Sequence, residues 1–180
     1  EIKLAAKKPA RSELHVIPTY SDHYELADLD VDKSTLNASG FEADAGQIII
    51  TQNSSGPCAL LGLGKSQEST NGTFRKAGIV LAKTTKGFKQ VSVDLSPAIE
   101  NEDVELARTQ AFAEGVLMGA YEFNELKSDP KPTKLSLVSI IGSGRRMVNG
   151  LNRAKSTSRG VNLARDLVNT PGGKLTPVAF

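Results

Sequence analysis

The sequence predicts an α/β domain, a mixed β-sheet flanked by helices. Apolar runs of strand length alternate with amphipathic stretches of helix length along most of the chain. Two of the runs, Gln47-Ile48-Ile49-Ile50-Thr51 and Cys58-Ala59-Leu60-Leu61-Gly62-Leu63, are separated only by Asn53-Ser54-Ser55-Gly56-Pro57, a cluster of turn formers that predicts a hairpin. The hairpin supplies an antiparallel pair, and the helix-linked strands make the rest of the sheet, so the sheet is mixed.

Taken in order, residues 1–13 carry Lys3, Lys7, Lys8, Pro9 and Arg11 without a period and read as a loose basic arm. Leu14 to Ile17 is the first predicted strand, and the polar stretch from Ser21 to Gly46 has room for one short helix. After the hairpin and Asn71-Gly72, residues Phe74, Ala77, Gly78 and Leu81 recur at helical spacing. Gln90 to Leu95 then alternates, with Val91, Val93 and Leu95 on one side, as a strand does.

The strongest helix signal runs from Glu102 to about Phe123, with Val104, Ala107 and Ala111 on one stripe. Its second half, Val116-Leu117-Met118-Gly119-Ala120, is almost wholly apolar and must be buried. Gly115 and Gly119 share a face that would admit another backbone closely, while Glu114 and Glu122 exclude a membrane dimer. Ser128 to Pro132 reads as a linker, and Lys134 to Ile141 as a buried strand ending at Gly142-Ser143-Gly144. A final helix from Met147 to Val168 places Met147, Leu151, Ala154, Ser158, Val161 and Val168 along one side. The expected partition is an arm over 1–13, an α/β domain over 14–145, and a connecting helix with the start of a further domain over 146–180.

Composition narrows the function classes. With 22 Lys plus Arg against 20 Asp plus Glu, the net charge of +2 argues against a chain built mainly to neutralise phosphates. The single Cys58 excludes an intrachain disulfide or a cysteine-based zinc cluster. No apolar stretch approaches the roughly 18 residues of a membrane span, and the basic start lacks a signal-peptide core, so a cytoplasmic location is expected. The start at Glu1 rather than Met points to a trimmed, processed or engineered N-terminus.

The candidate chemical motifs are weak one by one. Gly62-Leu63-Gly64-Lys65-Ser66 resembles a phosphate loop, but the position that motif requires as glycine is Ala59. Gly142-Ser143-Gly144-Arg145-Arg146-Met147 has the context of a dinucleotide fingerprint, with Met147 where Gly or Ala should stand. His15 and His23 have no third ligand at metal spacing, and no Gly-x-Ser-x-Gly elbow is present. Glu100, Glu102, Asp103 and Glu105 suit a helix N-terminus better than a catalytic pair. Arg145, Arg146, Arg153, Lys155 and Arg159 offer a basic surface, yet no aromatic residues interleave for base stacking. No catalytic, cofactor-binding or metal-binding residue is therefore assigned to this chain. The alternative reading is a nucleotide (ADP-ribose-like) or DNA-binding module.

The C-terminal segment is the most specific. Pro171-Gly172-Gly173 ends the long helix, and Thr176-Pro177 is a start signal for another, which the sequence breaks off at Phe180. A helix shorter than about 12 residues is marginal alone, so the chain reads as divided inside a larger protein. The segment Gly160-Val161-Asn162-Leu163-Ala164-Arg165-Asp166-Leu167-Val168-Asn169-Thr170-Pro171, followed by Leu175-Thr176-Pro177 and Phe180, resembles the interdomain signature of cytosol (leucyl) aminopeptidases. Leu61-Gly62-Leu63-Gly64-Lys65, Phe74-Arg75-Lys76-Ala77 and Glu114-Gly115-Val116-Leu117-Met118-Gly119-Ala120-Tyr121-Glu122-Phe123 are similar to that family's segments in order and spacing, so the resemblance covers most of 58–180.

The resemblance implies a two-domain protein, usually a homohexamer, whose C-terminal domain holds two divalent metal ions, zinc or manganese, and removes N-terminal residues from peptides. In that family the metals activate a water and polarise the scissile carbonyl, assisted by a lysine and an arginine-bound bicarbonate. The family's Asn-Thr-Asp-Ala-Glu-Gly-Arg metal loop has no counterpart in these 180 residues. The implied role of this chain is that of the macrodomain-like N-terminal domain, a three-layer sandwich that contributes to oligomer contacts and to active-site access. Its implied partners are its own C-terminal catalytic domain and further copies, with DNA contacts known in some bacterial relatives.

Overall fold

The computed structural model describes residues 1–22, 30, 31, 33–99, 101–130 and 133–174. His23, Glu100, Pro132 and the segment Leu175-Thr176-Pro177 with Phe180 lie outside the described residues. Among the described residues the strands are Ile2–Ala5 (β1), Leu14–Thr19 (β2), Ile48–Asn53 (β3), Gly56–Gly62 (β4), Gln90–Asp94 (β5) and Leu137–Ile141 (β6). The helices are Lys33–Ser39 (α1), Asn71–Thr84 (α2), Glu102–Gly119 (α3) and Arg145–Asn169 (α4).

The strands form one sheet in the order β1-β6-β5-β2-β4-β3. β3 and β4 pair antiparallel, with Asn53 opposite Gly56 and only Ser54 and Ser55 between them, so the hairpin is tighter than the whole turn-forming cluster suggested. Gly56 has a φ of +111°, a conformation that a residue with a Cβ rarely adopts. All other neighbours pair in parallel, as helix-linked strands do. The sheet is thus mixed and flanked by helices, as the sequence predicts.

Strand alternation gives the sheet two different faces. One face presents Val16, Ala59, Leu61, Val93, Val138 and Ile140 to the apolar stripes of the long helices, where Phe74, Leu81, Phe112, Val116, Met147 and Leu151 complete the core. The other face carries Cys58, Leu60, Ser92 and Ser139, all buried. There Ser12 Oγ donates to Ser92 Oγ at 2.8 Å, and His15 Nδ1 lies 3.1 Å from the same hydroxyl.

Helix starts follow local chemistry. Thr70 and Thr73 form a reciprocal capping box at α2. Asn101 Oδ1 accepts from the backbone N–H groups of Asp103 and Val104 at α3. α2 and α3 then meet through glycines: a Cβ on Gly78 would lie 2.3 Å from the Phe112 carbonyl oxygen, and one on Gly115 would lie 2.1 Å from the Arg75 carbonyl oxygen. The close backbone approach expected at Gly115 and Gly119 is therefore real, and its partner is α2.

Three expectations need correction. Residues 1–13 are not wholly a loose arm, because Ile2 to Ala5 pair with Val138 to Ile141 and Ile2 is buried in the core. Burial of Ile2 and backbone pairing outweigh the solvation of the neighbouring lysines, and Lys3 points out to water. α3 stops at Gly119 rather than Phe123, since Tyr121 leaves the helix path to meet α4. The strand expected over 134–141 begins only at Leu137.

His15 supplies a pH prediction. Burial, reinforced by the positive charge of Lys8 and opposed by Asp94, holds its imidazole below the ordinary histidine range. A lowered folded pKa means that the unfolded chain binds the proton first as pH falls. Stability is unaffected by this group above about pH 6.5, falls as pH drops below that value, and levels off under the folded pKa. Urea titrations from pH 7.5 to 5.5 should show a shallower loss of stability in His15→Gln than in the wild type; equal slopes for the two proteins count against the assignment.

Candidate functional site

Open α/β sheets place ligands beyond the carboxyl ends of their parallel strands. A cleft of about 350 Å³ lies there, where β5 and β6 run out, with Ile99, Ile141 and Met147 as its apolar wall and Asn101, Glu102 and Glu105 as its polar one. The turn from β6 into α4 is built on Gly142 and Gly144, with φ of +148° and +109°. Met147 fills the space a nucleotide would need, because a Cβ on Gly142 would already sit 2.4 Å from its sulfur. Gly144 stands at the α4 N-cap without a side-chain cap, and the positive end of α4 lines an adjoining hollow with Glu102 and Glu105.

That positive end is answered by carboxylates. Glu102 and Glu105 stand in the first turn of α3, and Glu102 forms an ion pair with Arg146 in the first turn of α4. A phosphate entering the cleft would meet these two acids before any free donor. The dinucleotide resemblance of 142–147 therefore has the turn but not the charge.

The Gly62–Ser66 loop is closed to phosphate in another way. Its donors are already taken: the Ser66 backbone N–H and hydroxyl donate to the Asp22 carboxylate at 2.9 and 2.7 Å. Lys65 is paired with Glu68 at 3.7 Å. An internal carboxylate sits where the motif would hold an anion.

The remaining candidates among the described residues do not converge. His15 is tied to Ser92, and Cys58 is sealed within β4. Among the described residues no group of three or more His, Cys, Asp or Glu side chains is placed to hold a metal ion. Arg145, Arg146, Arg153, Lys155 and Arg159 spread over the half of α4 opposite its buried stripe, and Arg146 is neutralised by Glu102.

Sequence reasoning missed a cluster at the far end of α4. Tyr121 donates to Asp166 Oδ1 at 2.7 Å and accepts from Asn169 Nδ2 at 3.3 Å. The Arg165 guanidinium lies 4.8 Å from the Tyr121 ring centre and donates to the Met118 carbonyl oxygen at 2.9 Å. Arg165 and Asn169 one turn apart were the only signal, and their partner is more than forty positions away. Beside the cluster runs a groove of about 490 Å³ between Leu117 on α3 and Asn162 and Leu163 on α4. Ser158 Oγ and Asn162 Oδ1 are buried there without a hydrogen-bond partner. Val161 and Val168, expected on the packed stripe, are 37% and 86% exposed.

Comparison with known proteins gives this geometry a family. The model of the N-terminal domain of the cytosol aminopeptidase family matches residues 32–130. A probable cytosol aminopeptidase of Rippkaea orientalis is 36% identical over 147 residues, which cover 78% of this chain and 29% of that protein. One from Trichormus variabilis is 33% identical over 167 residues, covering 87% of this chain and 34% of the relative. Among solved structures, a tomato leucine aminopeptidase mutant superposes with a TM-score of 0.77 at 24% identity, covering 98% of this chain and 39% of that one. A bottromycin maturation enzyme in complex with Mn gives 0.77 at 24% identity, over 94% of this chain and 34% of that chain. These two likenesses speak for the fold. The chain spans about three tenths of the length of the curated relatives it matches. No helix among the described residues is long and apolar enough to cross a membrane.

Proposed function

This chain belongs to the cytosol aminopeptidase family, as its N-terminal domain, and from that premise we propose that it is the non-catalytic, structural part of a two-metal leucyl aminopeptidase. The observation that carries the reading is the confinement of the match: a family model for the N-terminal domain alone, and alignments that cover no more than 34% of the two relatives compared.

On this reading the two divalent ions, zinc or manganese, belong to a C-terminal domain joined through α4, and that domain is the first partner of this one. The whole protein acts in the cytoplasm on the N-terminal residues of peptides, as a homohexamer to which this domain contributes contacts. The nucleotide or DNA reading gains no support from the site, where carboxylates occupy both glycine-rich turns.

The test is hydrolysis of leucine amide with added manganese or zinc, by the full-length gene product and by the 180-residue chain. The full-length protein is expected to turn over substrate, and to lose activity with a chelator, while the chain stays at the buffer rate. Metal-dependent turnover by the chain itself would overturn the assignment.

A further inference from the structure

The groove between α3 and α4 runs along one flank of α4, where Lys155, Ser158, Arg159, Asn162 and Asp166 recur at intervals of about one turn. Ser158 is 2% exposed, and its Oγ has no hydrogen-bond partner among the described residues. The buried Oδ1 of Asn162 has none either. Buried polar atoms are as a rule paired, and an unmet one costs free energy, so two orphans in one groove point to a molecule that fills it. They call for different partners. A serine hydroxyl can donate, whereas an amide oxygen only accepts.

The charges around the orphans are sorted in the same sense. Beside Ser158 stand Lys155 and Arg159, two cations one turn apart that repel each other. Among the described residues neither has an ion-pair partner. Beside Asn162 stands Asp166, whose Oδ1 accepts from Tyr121 while its Oδ2 takes no hydrogen bond among the described residues. Tyr121 also meets Asn169 and the Arg165 guanidinium, which fixes these last turns. The rest of the lining is apolar: Ile2 belongs to the core, Leu117 lies against it, and Leu163 is 59% exposed. A ligand that meets every group carries an anionic acceptor, a cationic donor within one helical turn of it, and an apolar arm. A bare phosphate or acetate leaves Asn162 Oδ1 unmet, and a simple amine leaves two cations unmet.

We propose that this groove binds a free α-amino acid with an apolar side chain, its carboxylate against Lys155, Ser158 and Arg159 and its ammonium against Asn162 and Asp166. Side chains one helical turn apart are separated by about 5–6 Å. The ammonium nitrogen and carboxylate oxygens of an α-amino acid lie about 3 Å apart, so one molecule with a hydrogen bond of about 2.8 Å at each end reaches both Ser158 and Asn162. The groove opens beside the start of β1, away from the cleft at the carboxyl ends of β5 and β6. The inference rests on the proposed function only for the source of the ligand, since an aminopeptidase releases such molecules.

Equilibrium dialysis of radiolabelled leucine against the full-length gene product, with and without a chelator, tests it. With metal removed, the wild type is expected to retain leucine with a Kd on the order of 0.1–1 mM, and Arg159→Ala/Asn162→Leu to bind at least about tenfold more weakly. Under the chelator, leucinamide, which lacks the carboxylate, and N-acetylleucine, which lacks the ammonium, should each compete at least about tenfold less well than leucine. That comparison needs no variant, so it stands even if the double change misfolds. Binding that vanishes with the chelator overturns the proposal, and so does equal binding by wild type and variant. Acetate competing as well as leucine also overturns it, reducing the site to an anion pocket. Leucine amide hydrolysis with metal present separates the two claims. Chelator-resistant binding without hydrolysis keeps the groove and removes the peptidase reading, whereas hydrolysis without chelator-resistant binding does the reverse.

Discussion

Gly115→Ala is expected to lower the unfolding free energy by about 3 kcal/mol, at the upper end of overpacking effects. In an exposed helix the same change would stabilise by up to about 1 kcal/mol, because glycine is the poorer helix former. Here the added carbon would sit 2.1 Å from the carbonyl oxygen of Arg75, and Gly78 makes the reciprocal approach to the Phe112 carbonyl at 2.3 Å. Both obstacles are backbone, so no rotamer change relieves them. The helices must move apart, and the seam they open includes Phe74 and Phe112, both fully buried. Close-packed interiors lose dispersion contacts steeply with such gaps. Gly160→Ala serves as the control, since nothing lies within 4 Å of the position its Cβ would take. Denaturant titration should show the two changes acting in opposite directions, with a melting point about 6–12 °C lower for Gly115→Ala. An unchanged or raised melting point for Gly115→Ala refutes this packing.

Arg75→Met should cost about 3 kcal/mol through a different mechanism. The Glu114 side chain is 4% exposed, and its Oε2 accepts from Arg75 Nε at 3.1 Å and Nη2 at 2.8 Å. Gln110 Nε2 donates to the other oxygen at 2.8 Å. Without Arg75 the carboxylate stays buried with one neutral donor, a loss placed near the bottom of the range for a broken buried pair because Arg75 is itself 43% exposed. Glu114→Gln should cost only about 1 kcal/mol, since the guanidinium left behind can turn to water. The double variant should recover part of the loss, and the coupling can be read from the complete cycle. Equal costs for the two single changes would show that Glu114 is not sealed as described.

Much of the fold was legible because its elements carry full local signals. α2 has a capping box and a stripe through Phe74, Ala77, Gly78 and Leu81, and the hairpin announces itself through apolar runs on either side of Ser54-Ser55. β1 was hidden because two apolar residues, Ile2 and Leu4, make too few beats of a period-two pattern, and its partner β6 lies at the other end of the domain. The end of α3 was misplaced for a similar reason: Tyr121 is drawn off by α4, and tertiary contact overrides local helix preference. At the candidate site, Ala59 and Met147 are sound grounds in the sequence to doubt both glycine-rich turns. It could not show that Asp22 and Glu102 supply the opposing charge, because both arrive through folding. A period of 3.6 puts Val161 and Val168 on the stripe of Met147, Leu151, Ala154 and Ser158, but full burial stops at Ser158.

The pairing of Ile2 with Val138 gives the fold a schedule. At roughly 5–20 residues per second on the ribosome, Val138 is joined to the chain about 7–27 s after Ile2. Of the described strands the earliest synthesised is thus the last that can be seated, and from the formation of β6 until β1 docks the outer edge of β6 stands open with its amides unsatisfied. Neighbouring nascent chains offer an identical strand during that interval, which makes exchange of the leading segment between molecules the characteristic error of this domain's assembly.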